Sequence, residues 1–299
     1  MIRAKLARVP ALRAAYDHLF APLYLVVCSW PPVRHRLAPH LREVRTEFVY
    51  SPTGAGLNPE LELHRLHGKG LIHNRDVLIV GVQMGDEILR SWLPRAPRRL
   101  IGVDLESWPD RWNTLTRSAA AANVTCALLM ANGMELPLHD ASVDLVSSQG
   151  VLEHITDVER FLRESWRILR PGGFIHAFFG PLWHCYGGPH IGALEYDHLL
   201  LEREQFIAKA RALNTGWSYW LEKQLYNNLV LEDYLDLFMR YFRVERLALV
   251  GSPEGNAYKK AHPDRWAVLL QSARERHLLT RLVSVTARKL EDDVRLVAA

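Results

Sequence analysis

From residue 76 onward the chain alternates short, unbroken apolar runs with segments of helical spacing, and that alternation narrows its fold more than any other feature. Runs at 77–80, 100–103, 124–129, 143–146 and 174–179 are continuous rather than polar at every second position. Strands covered on both faces need that pattern. Between the fourth and fifth runs, Asp157 is placed to cap a helix whose Val158, Phe161, Leu162, Trp166 and Leu169 recur at three- and four-residue spacing. Pro171, Gly172 and Gly173 follow as a stop. The expectation is an α/β fold, a Rossmann-like and mostly parallel seven-stranded sheet with helices on both faces.

Beyond Gly180 a loop rich in Gly, His and aromatic residues precedes a helical segment expected over about 199–241. Residues 243–250 and 266–271 are the expected sixth and seventh strands, an antiparallel pair at one sheet edge, and the tail from Arg274 reads as one more helix. The stretch 47–70, with Pro52, Gly54, Gly56 and Pro59, reads as the junction between an N-terminal helical extension (1–70) and the main domain (71–299). A helical substrate cap is expected at about 183–240, inserted between strands five and six.

A chain of 299 residues with 48% hydrophobic and 23% charged side chains has the makeup of a globular protein. A net charge of +4, without a run of Lys and Arg, gives no case for nucleic acid as a partner. The basic N-terminal segment flanks an apolar run at 19–27, shorter than the ~20 residues a bilayer span takes. Pro22 and the Trp30-Pro31-Pro32 stretch argue against a secretory signal. That segment is expected to be a solvated amphipathic helix, with peripheral membrane contact as the alternative. Cys28, Cys126 and Cys185 have no metal-site spacing, and reduced thiols in a cytoplasmic protein fit best.

In open parallel sheets, ligands sit outside the carboxyl ends of the strands where strand order reverses. The first strand ends in Gly81, Val82, Gln83, Met84 and Gly85, a turn whose backbone can approach a ligand. The second ends in Asp104 and Leu105, with the acid about where a ribose diol is bound in dinucleotide folds. The third ends in Asn132, Gly133 and Met134, able to meet an adenine edge, and the fourth in Gln149 and Gly150. Four such ends converge on one nucleoside-sized cleft.

The segment Leu136-Pro137-Leu138-His139-Asp140-Ala141-Ser142-Val143-Asp144-Leu145-Val146, then Leu152-Glu153-His154, then Arg167-Ile168-Leu169-Arg170-Pro171-Gly172-Gly173, resembles the class I S-adenosylmethionine-dependent methyltransferases. The likeness is to the branch that includes the ubiquinone and menaquinone biosynthesis enzymes, and it covers roughly 76–180. It implies S-adenosylmethionine as cofactor, with Asp104 on the ribose, Asn132 and Gly133 near the adenine, and the 81–85 loop along the methionine moiety. The chain departs from the family pattern at three positions. Ile79 stands where an acid is usual, Gln83 replaces the middle glycine, and Asn132 replaces an Asp. Asp86 and Glu87 are the expected compensation for the lost negative charge beside a sulfonium.

Methyl transfer needs positioning and exclusion of water more than covalent help from the protein, although a hydroxyl acceptor gains from a general base. His154 is the first candidate and His184 the second. Some relatives are similar to E-x-x-E-H here and hold a divalent cation, but Gly150 occupies the position of the earlier Glu, so no metal is expected. His184, His190, Asp197 and His198 lack a recognised ligand spacing. Trp217, Tyr219 and Trp220 are expected to wall an acceptor pocket. The expected activity is methyl transfer to a small molecule or a glycan, at oxygen. A catalytically silent relative serving as a binding scaffold is the alternative. A nicotinamide dehydrogenase is disfavoured because Gly81 and Gly85 lack the pyrophosphate-loop spacing.

Overall fold

The structure is a computed structural model, and it describes residues 47–213 and 216–289. Its strands are β1 (Glu47–Ser51), β2 (Asp76–Val80), β3 (Arg99–Asp104), β4 (Thr125–Met130), β5 (Val143–Gln149), β6 (Leu169–Phe179), β7 (Arg243–Gly251) and β8 (Thr280–Arg288). They form one sheet in the spatial order β1-β7-β8-β6-β5-β2-β3-β4. β8 runs antiparallel to both of its neighbours, β6 and β7, and every other pairing is parallel. Strand order reverses between β2 and β5, which fixes where a ligand crevice can open.

The helices are α1 (Pro59–Gly68), α2 (Pro109–Ala121), α3 (Val158–Ile168), α4 (Asp197–Leu200), α5 (Arg203–Ala212), α6 (Trp217–Glu222), α7 (Leu231–Tyr241), α8 (Pro253–Ala261), α9 (Pro263–Ser272) and α10 (Glu275–Leu279). Alternate residues of a strand face opposite sides. Accordingly Leu78 and Val80 join a core with Phe161 and Leu162 of α3 and Tyr234 and Phe238 of α7. Val77 and Ile79 join the other core, with Leu63 and Leu66 of α1 and Trp112 and Leu115 of α2. Each such buried side chain contributes roughly 1.5–3 kcal/mol. Among the described residues no helix is long and apolar enough to cross a membrane. The basic segment of residues 1–45, with its expected helical extension, and Cys28 lie outside the described residues.

Several expectations need correction. The sheet has eight strands among the described residues, because 47–70 is not a junction but holds β1 and α1. Asn58 caps α1 by accepting the Leu61 N–H, and Pro59 occupies its first turn, so the Pro and Gly residues taken for a linker are partly helix punctuation. Residues 266–271 form the middle of α9 rather than a strand. Trp266 and Leu269, three apart, are buried while Val268 and Leu270 are exposed, and that is helical periodicity. The seventh strand position falls to β8 in the tail, where Val283, Val285 and Ala287 alternate with buried Ser284 and Thr286. The antiparallel strand is therefore internal, and the edge beyond it is β1 pairing in parallel with β7.

The helical segment at 199–241 is broken into α5, α6 and α7, and α7 lies on the sheet beside α3 rather than over the site. Arg167 of α3 explains the spacing of the 136–146 and 167–173 motifs. Its guanidinium donates to the carbonyls of Leu138 and Leu136 and to Asp140, while Glu164 accepts the Leu136 N–H. The loop before β5 is thus tied to the helix after it.

Candidate functional site

The carboxyl ends of β2 and β5 open onto a cleft of about 290 Å³ lined by Gly81, Val82, Gln83, Gly85, Glu87 and Gln149. Gly81 adopts φ +80°, and a Cβ there would stand 2.3 Å from the Val151 side chain, so only glycine fits the turn. Gln83, in the place of the family's middle glycine, also takes a left-handed conformation at φ +46°. Its N–H donates to Asp104 at 2.7 Å and its carbonyl accepts the Trp112 indole N–H at 2.8 Å. Both sides of this unusual residue are held.

Asp104 ends β3 with one carboxylate oxygen on Gln83 and the other accepting the Glu106 N–H. Beside it Leu105 and Met130 are 70% and 68% exposed, an uncovered apolar pair at the ends of β3 and β4. Asn132 spends its side-chain oxygen on the Met134 N–H, shaping the turn after β4. Gly133 lies within it, where a Cβ would meet Val80 at 3.0 Å. On the opposite wall the Gln149 amide faces the Glu87 carboxylate. Burial, reinforced by the charge of Glu60, raises the Glu87 pKa above the usual carboxylate range. Gly150 follows at φ +62° and turns the chain into Leu152–His154.

That short helical turn presents Glu153 and His154. The His154 Nδ1 lies 2.8 Å from the Leu225 carbonyl oxygen, which can only accept, so Nδ1 carries the proton and Nε2 keeps its lone pair. Burial lowers the His154 pKa and keeps the ring neutral. Glu153 is 2% exposed, and one carboxylate oxygen accepts the Gly180 N–H at 3.0 Å while the other has no partner. Burial pushes its pKa up to about 8. His190 closes the group with its ring 5.0 Å from that of His154, and burial beside that ring brings its pKa down to about 4. Trp217, Trp220 and Tyr226 pack around the two imidazoles.

His184 does not join this group. Its ring faces His277 at 6.2 Å, and among the described residues no hydrogen bond or ring contact links it to His154. Asp197 is paired with Lys209 and Arg265, and His198 donates to the Trp183 carbonyl, so both are absorbed by the cap's own structure. Next to them a second cavity of about 400 Å³ is walled by Trp183, Phe206, Ile207, Leu221 and Tyr226. The meeting of His190 with Glu153 and His154 had no local sequence signal. It depends on how the loop after β6 folds back over the end of β5.

Residues 80–177 match the methyltransferase domain family. Over those residues, about a third of its length, the chain is similar to methyltransferase domains. A Mycolicibacterium smegmatis protein named as a probable S-adenosylmethionine-dependent methyltransferase is 35% identical over 99 residues, 33% of this chain and 35% of the relative. A similarly named Mycobacterium tuberculosis H37Rv protein is 35% identical over 101 residues, 34% of each chain. The chain thus spans about a third of the length of the curated relatives it matches. In fold, it is similar to a candidate methyltransferase of Bacillus halodurans, with TM-score 0.50 and 14% identity, over 78% of this chain and 99% of that one. The matched residues include the cleft from Gly81 to Gln149 as well as Glu153 and His154, whereas His190 and the cap lie beyond them.

Proposed function

We propose that the chain transfers a methyl group from S-adenosylmethionine to a hydroxyl oxygen of a small-molecule or glycan acceptor. One observation carries this reading. The Gly81 turn, Glu87 and Gln149 line one cleft where strand order reverses between β2 and β5, and Asp104 is tied to it through the N–H of Gln83 in its wall. The residues present fit such a cofactor. Glu87 sets a carboxylate in the cleft to oppose a cationic group, Asp104 keeps spare lone pairs for a diol, and Leu105 with Met130 offers apolar surface to a purine. Gln149 and Gly150 border the methionine end, and Asn132, Gly133 and Met134 the adenine end. When bound, the cofactor supplies a methyl group already activated by a sulfonium.

The chain's own residues then hold the acceptor and receive its proton. His154 is the first candidate base because its Nδ1 is fixed as a donor, which leaves a neutral Nε2 to accept. His184 is the second candidate, standing apart from His154 beside His277. The aromatic cavity beside Tyr226 supports an acceptor with a ring-shaped or apolar body.

Calorimetry with S-adenosylmethionine and S-adenosylhomocysteine tests the reading. Binding of both is expected, weakened at least several-fold in Glu87→Gln. No binding of either by the wild-type chain would favour the silent scaffold.

A further inference from the structure

Glu153, His154 and His190 are the only group of three metal-ligating side chains among the described residues whose donor atoms gather closely, one atom of each lying within 4.8 Å of the others. We propose that this cluster binds a divalent transition-metal ion of the Zn2+ class beside the methyl-transfer cleft. The sequence argued against a metal because Gly150 stands where similar proteins carry an earlier Glu. The fold supplies a third donor from elsewhere, the loop after β6.

Each donor is available. The Leu225 carbonyl fixes the His154 proton on Nδ1, so Nε2 is free to ligate. The His190 Nε2 and one Glu153 carboxylate oxygen are buried without any hydrogen-bond partner. Buried polar atoms left unpaired are unfavourable, and one cation would satisfy both. Glu153 is 2% exposed and the His190 side chain 15%, so bulk water is a poor substitute partner. At metal–donor lengths of about 2.1 Å, tetrahedral donors stand roughly 3.4 Å apart, so the cluster closes with an inward movement of about 1 Å.

The surroundings act as an outer shell. Asn227 donates from its amide to the Leu152 and Ile155 carbonyls at 2.6 and 2.9 Å, clamping the turn that carries two of the donors. Two imidazoles and one carboxylate suit Zn2+, Fe2+ or Co2+ better than Mg2+, which prefers oxygen ligands and retained waters. Three protein ligands leave a coordination position open, as catalytic rather than structural sites do. Glu153 and His154 follow shortly after β5 and Gly150, which places the cluster beside the carboxyl end of that strand. Resting on the methyl-transfer reading for its purpose alone, the ion would hold the acceptor's oxygen there, and His154 would then ligate rather than act as the base.

Equilibrium dialysis of the full chain against Zn2+, with metal analysis, provides the test, and Co2+ absorption spectra report the coordination. One ion per chain is expected, with at least tenfold weaker binding in His190→Gln and Glu153→Gln and no change in the exposed-site variant His64→Gln. Should either cluster variant fail to fold by circular dichroism, the wild-type Co2+ spectrum decides. Intense bands of a four- or five-coordinate nitrogen and oxygen site support the proposal, and a weak octahedral spectrum overturns it. Absence of stoichiometric Zn2+ binding, or unaltered binding in folded His190→Gln, also overturns it. No methyl donor is present in these measurements, so a negative result leaves the calorimetric test of methyl transfer standing separately.

Discussion

The carboxylate of Asp104 accepts the backbone N–H of Gln83 at 2.7 Å, so the acid placed for a ribose also restrains the residue that breaks the family's glycine pattern. A non-glycine residue in the left-handed region costs about 1–2 kcal/mol. That cost is offset by this bond and by the Trp112 indole on the Gln83 carbonyl. The first two strand ends are thereby coupled, and cofactor affinity and loop conformation should respond together to changes at either residue.

Replacing Asp104 should reveal that coupling. A hydrogen bond to a charged acceptor is worth about 1.5–3 kcal/mol, so Asp104→Ala should weaken S-adenosylhomocysteine binding by at least tenfold. Asp104→Asn keeps one acceptor oxygen for the Gln83 N–H and should lose less. Calorimetry on both variants provides the measurement. Equal affinity for wild type and Asp104→Ala would remove Asp104 from the site.

Gln83→Gly addresses the strain itself. Glycine adopts φ +46° without penalty but enlarges the unfolded state's freedom by about 0.4–1 kcal/mol, so a net gain of roughly 0.5 kcal/mol is expected. Urea denaturation would register it as a small rise in midpoint. A loss of more than about 1 kcal/mol would mean that the Gln83 side chain contributes packing unrelated to its backbone.

The parallel core was legible in the sequence because strands buried on both faces leave an unmistakable apolar signature, and the runs at 77–80, 100–103 and 143–146 all fall within strands. Alternation with buried polar residues hid β8. Ser284 and Thr286 face the buried Glu62 and His176 and the half-buried Arg65, so the strand lacks the continuous apolar run that marked the others. The cofactor side of the site could be read from strand ends, since topology alone sends them to one crevice. The Glu153, His154 and His190 cluster could not, because its closure is set by a long loop whose path no local spacing encodes.

Asn227 is the positioning residue for that cluster. Besides its two amide bonds to the 152–155 turn, its backbone N–H donates to the Glu153 carbonyl and its side-chain oxygen accepts the Tyr234 hydroxyl at 2.7 Å. Asn227→Ala leaves the Leu152 and Ile155 carbonyls short of donors, at a cost of about 1–3 kcal/mol in stability. Turnover should fall by an order of magnitude or more while S-adenosylhomocysteine affinity changes little, since β2 and the Gly81 turn are untouched. Denaturation, calorimetry and single-turnover rates separate the three effects. A parallel loss of cofactor affinity would show that the turn supports the cleft rather than the acceptor side.

His176 sits inside the sheet opposite Thr286, whose hydroxyl lies 3.1 Å from its Nδ1, and Nε2 has no partner. Full burial pushes its pKa down from 6.5 to about 4, although the nearby Glu62 charge pulls the other way. The unfolded chain therefore takes up a proton below pH 6.5 that the folded protein refuses until about pH 4. Its contribution to stability is complete above the first value and declines as pH falls toward the second, by on the order of 3 kcal/mol in all. Burial alone would raise the Glu62 carboxyl, but Arg246 holds it at about 2, so Glu62 stays charged across this window and does not blur the slope. In His176→Gln the amide can still meet Thr286 without titrating. Denaturation free energies measured from pH 7.5 to 4.5 should fall about 2–3 kcal/mol less in the variant than in the wild type. Parallel curves for the two proteins would mean that the buried imidazole gains its proton in the folded state as readily as in the unfolded one.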